Sequence, residues 1–184
     1  MMGRACPPWE GNDTMDAIDE LLAKQAIREQ LYRYCRSMDR RDDALGFTVF
    51  TEDCTMDYGQ NFQGSGWEFV AWAHKAHDKA YEQTSHQITN MLIRLSEDGT
   101  KAISETYLHT LQLTHPDENG RAQELHIAAR YLDRWVCLEG KWKIKARRYV
   151  QDIAELRQVQ TPFPRFGGRP DPADPSYELL DWLK

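Results

Sequence analysis

The chain has 184 residues, 41% hydrophobic and 28% charged, the balance of an ordinary globular protein and far from disordered or fibrous composition. Its formal net charge of -6 opposes the attraction that drives most nucleic-acid binding, so DNA and RNA are not expected partners. No apolar run approaches the ~20 residues that span a bilayer, and the segment from Met1 lacks the apolar middle of a signal peptide, so a cytoplasmic location without a membrane partner is expected.

Residues 1–14 carry Gly3, Pro7, Pro8 and Gly11 without an apolar period, and read as a flexible leader, with Met15 an alternative start. A helix is predicted from Met15, with Asp16, Asp19 and Glu20 near its positive end and Ile27, Leu31, Tyr34, Cys35 and Met38 at helical spacing. The charged cluster Asp39-Arg40-Arg41-Asp42-Asp43 marks a junction, after which Ala44 to Phe50 resumes the pattern as a second helix. Cys54 to Tyr58 suits a short strand. Gly59, Gly64 and Gly66 then bracket turns that lead into a third helix, Trp67 to Tyr81, which carries Trp67, Val70, His74, His77 and Tyr81 on one stripe.

Four strands are expected next, Thr84–Leu95, Lys101–Thr114, Gln123–Leu138 and Lys141–Gln151. They are joined by the turn signals Asp98-Gly99, Asn119-Gly120 and Glu139-Gly140. A long meander preceded by three helices implies an α+β fold, a curved antiparallel sheet wrapped over the helices as a cone, because one sheet face must be covered by something apolar. This domain is placed at 15–154. The remaining arm, 155–184, contains Pro162, Pro164, Pro170, Pro172 and Pro175 and ends in Tyr177, Leu179, Leu180, Trp182 and Leu183; it is expected to lie across the chain's own pocket or a neighbouring subunit.

Several residues can carry chemistry. His86 opens the first long strand, and strand alternation puts Ile88, Asn90 and Leu92 on its side. It reads either as a core histidine satisfied by a backbone carbonyl or, if Asp39 turns inward to it, as a base whose tautomer and imidazolium form the carboxylate supports. Asp39 reads otherwise as one solvated charge of its cluster, the reading given to Asp42 and Asp43. Tyr34 and Tyr58 can polarise a carbonyl or hold a leaving hydroxyl, or simply pack. Tyr34 precedes Asp39 by five positions, about 140° around a straight helix, so both face one pocket only if the helix bends or ends there.

His74 and His77 share a helix face, but no third ligand stands at a recognisable spacing, so they read as surface or packing residues. His109 can reach the pocket as a second acid or base if its strand parity is inward. On the last strand simple parity sends Arg148 inward and Arg147 outward, and a bulge would reverse that. Phe50, Phe62 and Trp67 add apolar surface that favours a small aromatic ligand. The cysteines Cys6, Cys35, Cys54 and Cys137 lack paired spacing and read as small buried hydrophobes. Glycine-loop, GxSxG and CxxC signatures are absent, which leaves a cofactor-free site as the simplest reading.

The stretches Ala26-Ile27-Arg28-Glu29 through Tyr34, Asp39-Arg40-Arg41-Asp42, Phe50-Thr51-Glu52-Asp53, Tyr58-Gly59, Ser85-His86, Asn90 and Gly140-Lys141-Trp142-Lys143-Ile144 resemble the SnoaL-like members of the nuclear transport factor two superfamily over about Met15 to Gln151. The resemblance implies the cone fold already inferred. Within the superfamily, scytalone dehydratase, the bile-acid 7α-dehydratase and the hexachlorocyclohexane dehydrochlorinase use a His–Asp pair at places resembling His86 and Asp39. Tyr58 resembles a catalytic tyrosine of the first, Tyr34 one of the second, and Arg147 a pocket arginine of the third, against the parity argument. Met38 and Gln112 depart from scytalone dehydratase, which has a tyrosine and a histidine there.

The resemblance implies a lyase with His86, Asp39, Tyr34 and Tyr58 as catalytic residues and Arg147 at the substrate; the residues themselves add Asn90, Phe50, Trp67 and His109 around the substrate and suggest no cofactor, so a cofactor-independent lyase is expected. The expected reaction is elimination of water or halide, or retro-aldol release of a small carbonyl fragment. A homo-oligomer is expected, a trimer before a dimer. The alternatives are a non-catalytic small subunit of a ring-hydroxylating dioxygenase, which would purify with a larger iron-containing chain, and a ligand-binding module, which would hold an aromatic alcohol without converting it.

Overall fold

A computed structural model describes residues 16–159 and 167–182; the expected leader, 1–14, lies outside the described residues. The elements run α1 (Ala17–Arg40), α2 (Asp43–Val49), β1 (Phe50–Asp57), β2 (Gln63–Ser65), α3 (Gly66–Ala80), β3 (Tyr81–Leu95), β4 (Lys101–Thr114), β5 (Ala122–Leu138), β6 (Lys141–Val159) and α4 (Ser176–Asp181). The predicted order holds, with the short β2 and α4 added. The ends differ: β3 begins at Tyr81, and β6 runs on to Val159 because it stays paired with the start of β5, Ala122 opposite Val159.

Local chemistry sets the helix ends. Asp16 caps α1 by accepting from the backbone N–H groups of Ile18 and Asp19, which satisfies two of the donors a helix start leaves open. Arg41 ends α1 in the left-handed region at φ 53, and Asp42 then accepts from the Leu45 N–H to cap α2. The charged cluster is thus a helix junction with structural work for Asp42, rather than a solvated charge run. Ser65 and Glu68 form a reciprocal capping box at the start of α3. Gly66 is pressed so close to Phe50 that an added Cβ would come within 2.8 Å of its ring.

The six strands form one curved, unclosed sheet in the order β2-β1-β6-β5-β4-β3. β3 to β6 make the antiparallel meander, β1 joins β6 in parallel, and β2 pairs with β1 antiparallel. At the β5–β6 turn both Glu139 and Gly140 have positive φ, 50 and 79, the type I′ geometry whose twist suits a tight hairpin. Bulges bend the sheet: β3 has an extra residue between Tyr81 and Gln83 and another between Ile88 and Met91, β6 has one each around Asp152 and Lys145, and the β1–β6 register shifts between Phe50 and Thr55.

The helices fill the hollow. Ile27, Leu31, Tyr34 and Met38 of α1, Val49 of α2, and Phe69 and Val70 of α3 pack on Leu108, Tyr131, Trp135, Trp142 and Ile144 of the strands. On β4 the alternation is clean. Ala102, Ser104, Thr106, Leu108, Thr110 and Gln112 face in, while Lys101, Ile103, Tyr107 and His109 face out.

The described part of the arm lies along the end of α1 instead of across the pocket. Arg36 donates to Ser176 and covers the Tyr177 ring at 4.9 Å, and Arg40 approaches Asp174 at 3.4 Å. Cys35 and Cys54 are the buried free thiols expected, whereas Cys137 takes part in a disulfide. Among the described residues no helix is long and apolar enough to cross a membrane.

Candidate active site

Asp39 stands in the last turn of α1 and His86 near the start of β3, and the two meet because α1 packs against β3. The carboxylate holds the histidine with both oxygens: Asp39 Oδ1 lies 2.6 Å from His86 Nδ1, and Asp39 Oδ2 accepts from the His86 backbone N–H at 2.9 Å. Thr84 donates to Asp39 Oδ1 at 3.1 Å and accepts from Arg41 at 3.0 Å. Arg41 in turn donates to the Met38 carbonyl and pairs with Asp78. Both side chains of the pair are largely shielded, His86 6% and Asp39 14% exposed. A carboxylate acceptor at Nδ1 keeps the proton on that nitrogen, which leaves Nε2 with a free lone pair and supports a positive charge on the ring when it gains a proton.

The ring borders a cavity of about 100 Å³ whose walls include Tyr34, Met38, Tyr58, Phe69, Trp72, Ala73, His77, Leu108, Thr110, Gln112, Ile127, Tyr131 and Tyr149. Tyr34 and Asp39 do leave α1 in different directions, Tyr34 into the cavity and Asp39 sideways to β3, and His86 connects them. The Tyr34 and Tyr58 hydroxyls lie 3.2 Å apart. Tyr58 is sandwiched between Phe69 (4.3 Å) and Tyr149 (4.8 Å, planes 5° apart). Burial pushes the Tyr34, Tyr58 and Tyr131 phenols above their ordinary range, with the nearby Arg147 opposing it. They therefore stay protonated at neutral pH and serve as hydrogen-bond donors.

Behind the phenols sits Arg147, fully buried and bound to Asp133 through two bonds of 2.7 and 2.8 Å. Burial works against its charge, but the Asp133 carboxylate more than restores it and holds Arg147 above its ordinary range. Its guanidinium carbon lies 3.8 Å from the Tyr131 ring centre and 4.4 Å from that of Tyr34, in cation–π range. Arg147 faces in and Arg148 out because Lys145 bulges from β6: Arg134 pairs with Ala146, yet Trp135 pairs with Ile144. The parity argument is overturned by that one extra residue. Arg147 backs the cavity wall through the tyrosines and does not itself line it.

Four other residues expected beside a ligand are placed elsewhere. Asn90 is exposed, since the β3 bulge turns it away from the side of His86 and Met91 pairs in its stead. His109 points outward by the alternation of β4. Phe50 is wholly buried, edge-on to Tyr34 at 5.9 Å, and packs behind the cavity. Trp67 is 43% exposed and donates to the Phe47 carbonyl at 3.3 Å.

Conversely, His77, Trp72, Thr110 and Gln112 line the cavity without having been singled out as contacts. The inward alternation of β4 was a readable signal for Thr110 and Gln112. For His77 the signal was its place on the helical stripe. His74, on the same stripe, is bound to Asp43 through Nδ1, and burial lowers its pKa. Among the described residues no group of three or more His, Cys, Asp or Glu is arranged to hold a metal ion.

Comparison with known proteins accords with this architecture. A crystal structure from Novosphingobium aromaticivorans assigned as a scytalone dehydratase is 20% identical, with 82% of this chain and 99% of that one aligned at a TM-score of 0.68. The type 3 hexachlorocyclohexane dehydrochlorinase of Novosphingobium barchaimii is 16% identical, with 82% and 100% covered and a TM-score of 0.70. A nuclear transport factor 2-like superfamily protein from Salmonella enterica is 20% identical, with 80% and 99% covered and a TM-score of 0.61. These likenesses concern the fold. No curated protein sequence matches the chain. The family model of the SnoaL-like domain matches residues 19–148, well over half of the chain, which therefore belongs to the SnoaL-like domain family.

Proposed function

We propose that the protein is a cofactor-independent lyase in which His86, braced by Asp39, removes a proton from carbon. The observation that carries this reading is the two-oxygen grip of Asp39 on His86, which leaves Nε2 as the free basic nitrogen beside a small, largely aromatic cavity. The C–H proton passes to Nε2, the C–H electron pair forms the new double bond, and the leaving group departs with its own bonding pair. Tyr34 or Tyr58, donating a hydrogen bond, assists the departing oxygen or halide or polarises an adjacent carbonyl. In retro-aldol cleavage the same base takes a hydroxyl proton, and the C–C pair stays with the larger fragment. The names of the two structural neighbours above, a dehydratase and a dehydrochlorinase, agree with an elimination.

The cavity limits the substrate. At about 100 Å³ it is smaller than the ~150 Å³ apolar cavity that accommodates benzene. It holds a compact reacting group, and an aromatic ring fits only if it extends past Trp72, which is 42% exposed at the cavity rim. The test is a panel of β-hydroxy ketones, chlorinated cyclohexanes and hydroxymethyl aromatics. It is scored in D2O for C–H exchange and for release of water, chloride or formaldehyde, with and without chelator. General acid/base help contributes about 10²–10⁴-fold, so His86→Ala should lower turnover by at least that factor with folding intact. Near-normal turnover in that variant refutes the reading.

A homo-oligomer is supported by apolar side chains exposed on the outer face of the sheet, while the preference for a trimer rests on the family resemblance alone. Leu92 and Ile103 are 69% and 56% exposed there and share a shallow depression with Leu132. Light scattering at micromolar concentration that finds a monomer refutes it.

A further inference from the structure

The mechanism above makes no use of His77, which reaches the same cavity from the last turns of α3. Its ring centre lies 6.0 Å from that of His86, with the planes 33° apart, and it meets Tyr81 edge-on at 5.8 Å. No hydrogen bond joins the two imidazoles. His77 Nδ1 is buried and has no partner, and on the facing β4 wall the Thr110 hydroxyl is likewise buried and unpartnered. Buried polar atoms without partners are uncommon and costly in native proteins. Two of them around one cavity call for an occupant that can bond to both.

His77 is also held uncharged. Burial foremost, then the positive or protonatable neighbours His86, Arg41 and His74, lower its pKa to about 3. Near neutral pH it offers one N–H donor and one nitrogen acceptor, which matches a hydroxyl or carbonyl oxygen and gives an anion little attraction. An apolar or halogenated group in the same place would leave both His77 and Thr110 unsatisfied, and such mismatches are how binding sites reject isosteres that lack a hydrogen-bonding group.

We propose that His77 is a substrate-contacting residue whose imidazole, with the Thr110 hydroxyl, hydrogen-bonds an oxygen of the molecule that His86 deprotonates, so that the site prefers an oxygenated substrate to its halogenated analogue. The identity of that molecule as the substrate of His86 rests on the lyase reading, while the contact itself does not.

Cyclohexanol and chlorocyclohexane, which share a ring and differ at the substituent, are suitable probes. Each is titrated into the ¹⁵N-histidine-labelled full chain while the ring nitrogens are followed by NMR. Cyclohexanol should shift the His77 resonances and bind about tenfold tighter than chlorocyclohexane, the worth of one net hydrogen bond. His77→Phe should abolish that preference, and His77→Gln, which keeps a donor and an acceptor, should retain part of it. Circular dichroism reports whether each variant is folded, and the Gln variant decides the matter if Phe is not tolerated. Absence of a His77 shift with cyclohexanol, or an unchanged preference in the substituted protein, overturns the proposal. Turnover that survives His86→Ala while the His77 preference holds removes the lyase reading alone, and the converse removes only the role of His77.

Discussion

Replacing Asp39 by Ala tests the brace without knowledge of the substrate. Three donors reach the carboxylate, His86 Nδ1 at 2.6 Å, His86 N at 2.9 Å and the Thr84 hydroxyl at 3.1 Å. Hydrogen bonds to a charged partner contribute roughly 1.5–3 kcal/mol each. The sum must be reduced, because Asp39 loses hydration on folding and water entering the cavity can satisfy some of the freed donors, which leaves a net cost of about 2–4 kcal/mol. At roughly 2–4 °C per kcal/mol for a chain of this size, Tm should fall by about 5–15 °C. Urea unfolding of wild type, Asp39→Ala, His86→Ala and the double variant completes a cycle, and a coupling above about 1 kcal/mol is expected for residues in direct contact. A loss under about 0.5 kcal/mol, or additive single effects, would refute the brace. Asp39→Asn adds a second reading, since its NH2 must meet one of the His86 N–H donors face to face and the ring loses its preferred tautomer. Turnover should then drop by at least ~10²-fold while the fold persists.

Arg147→Met strands the buried Asp133 and should destabilise by about 3–5 kcal/mol, whereas Arg147→Met with Asp133→Leu should recover most of that; denaturant midpoints decide, and a double variant no better than the single one counts against a structural ion pair. The depressed pKa of His77 has a stability consequence. The ring is neutral in the folded state and protonates readily in the unfolded one near its ordinary value of about 6.5, so its contribution is full above pH 6.5 and is lost as pH falls toward about 3. Urea midpoints should therefore drop between pH 7 and pH 5 by the equivalent of about 1–2 kcal/mol, and His77→Phe should flatten that dependence.

The architecture was legible because it rests on local signals. Asp98-Gly99, Asn119-Gly120 and Glu139-Gly140 each supply a residue with positive φ, at Gly99, Gly120 and Gly140, and between them the strands have little choice of partner. Helix starts were readable from Asp16, while the cap made by Ser65 and Glu68 was hidden among glycines that read as loop. The short β2 escaped detection since three residues, Gln63–Ser65, carry no period and are held only by pairing with Thr55, Met56 and Asp57. The extension of β6 escaped for a similar reason: its last residues are mostly exposed, so no apolar alternation marks them, and it is the opposite strand that keeps them extended.

The site divides along the same line. His86 and Asp39 are 47 positions apart, and composition or spacing could only present them as two separate candidates; the family resemblance joined them. Which other side chains reach the cavity turns on bulges, and a bulge is one unpaired residue that leaves no reliable trace in a period-two pattern. Lys145 rotates Arg147 inward, and the extra residue between Ile88 and Met91 rotates Asn90 out. Where β4 runs without a bulge opposite β5, alternation alone would have placed Thr110 and Gln112 in the cavity and His109 outside, had one buried residue such as Leu108 anchored it. The β6 bulge has a structural role, because a β6 that paired Lys145 regularly would bury Arg148 in place of Arg147, leave Asp133 without its partner and remove the positive charge behind Tyr34 and Tyr131. Deleting Lys145 is the opposite case: Ile144, Ala146 and Arg147 would then stand opposite Trp135, Arg134 and Asp133 in unbroken succession, so Arg147 should keep its inward place and its ion pair, and a denaturant midpoint far below that of the wild type would count against this account of the bulge.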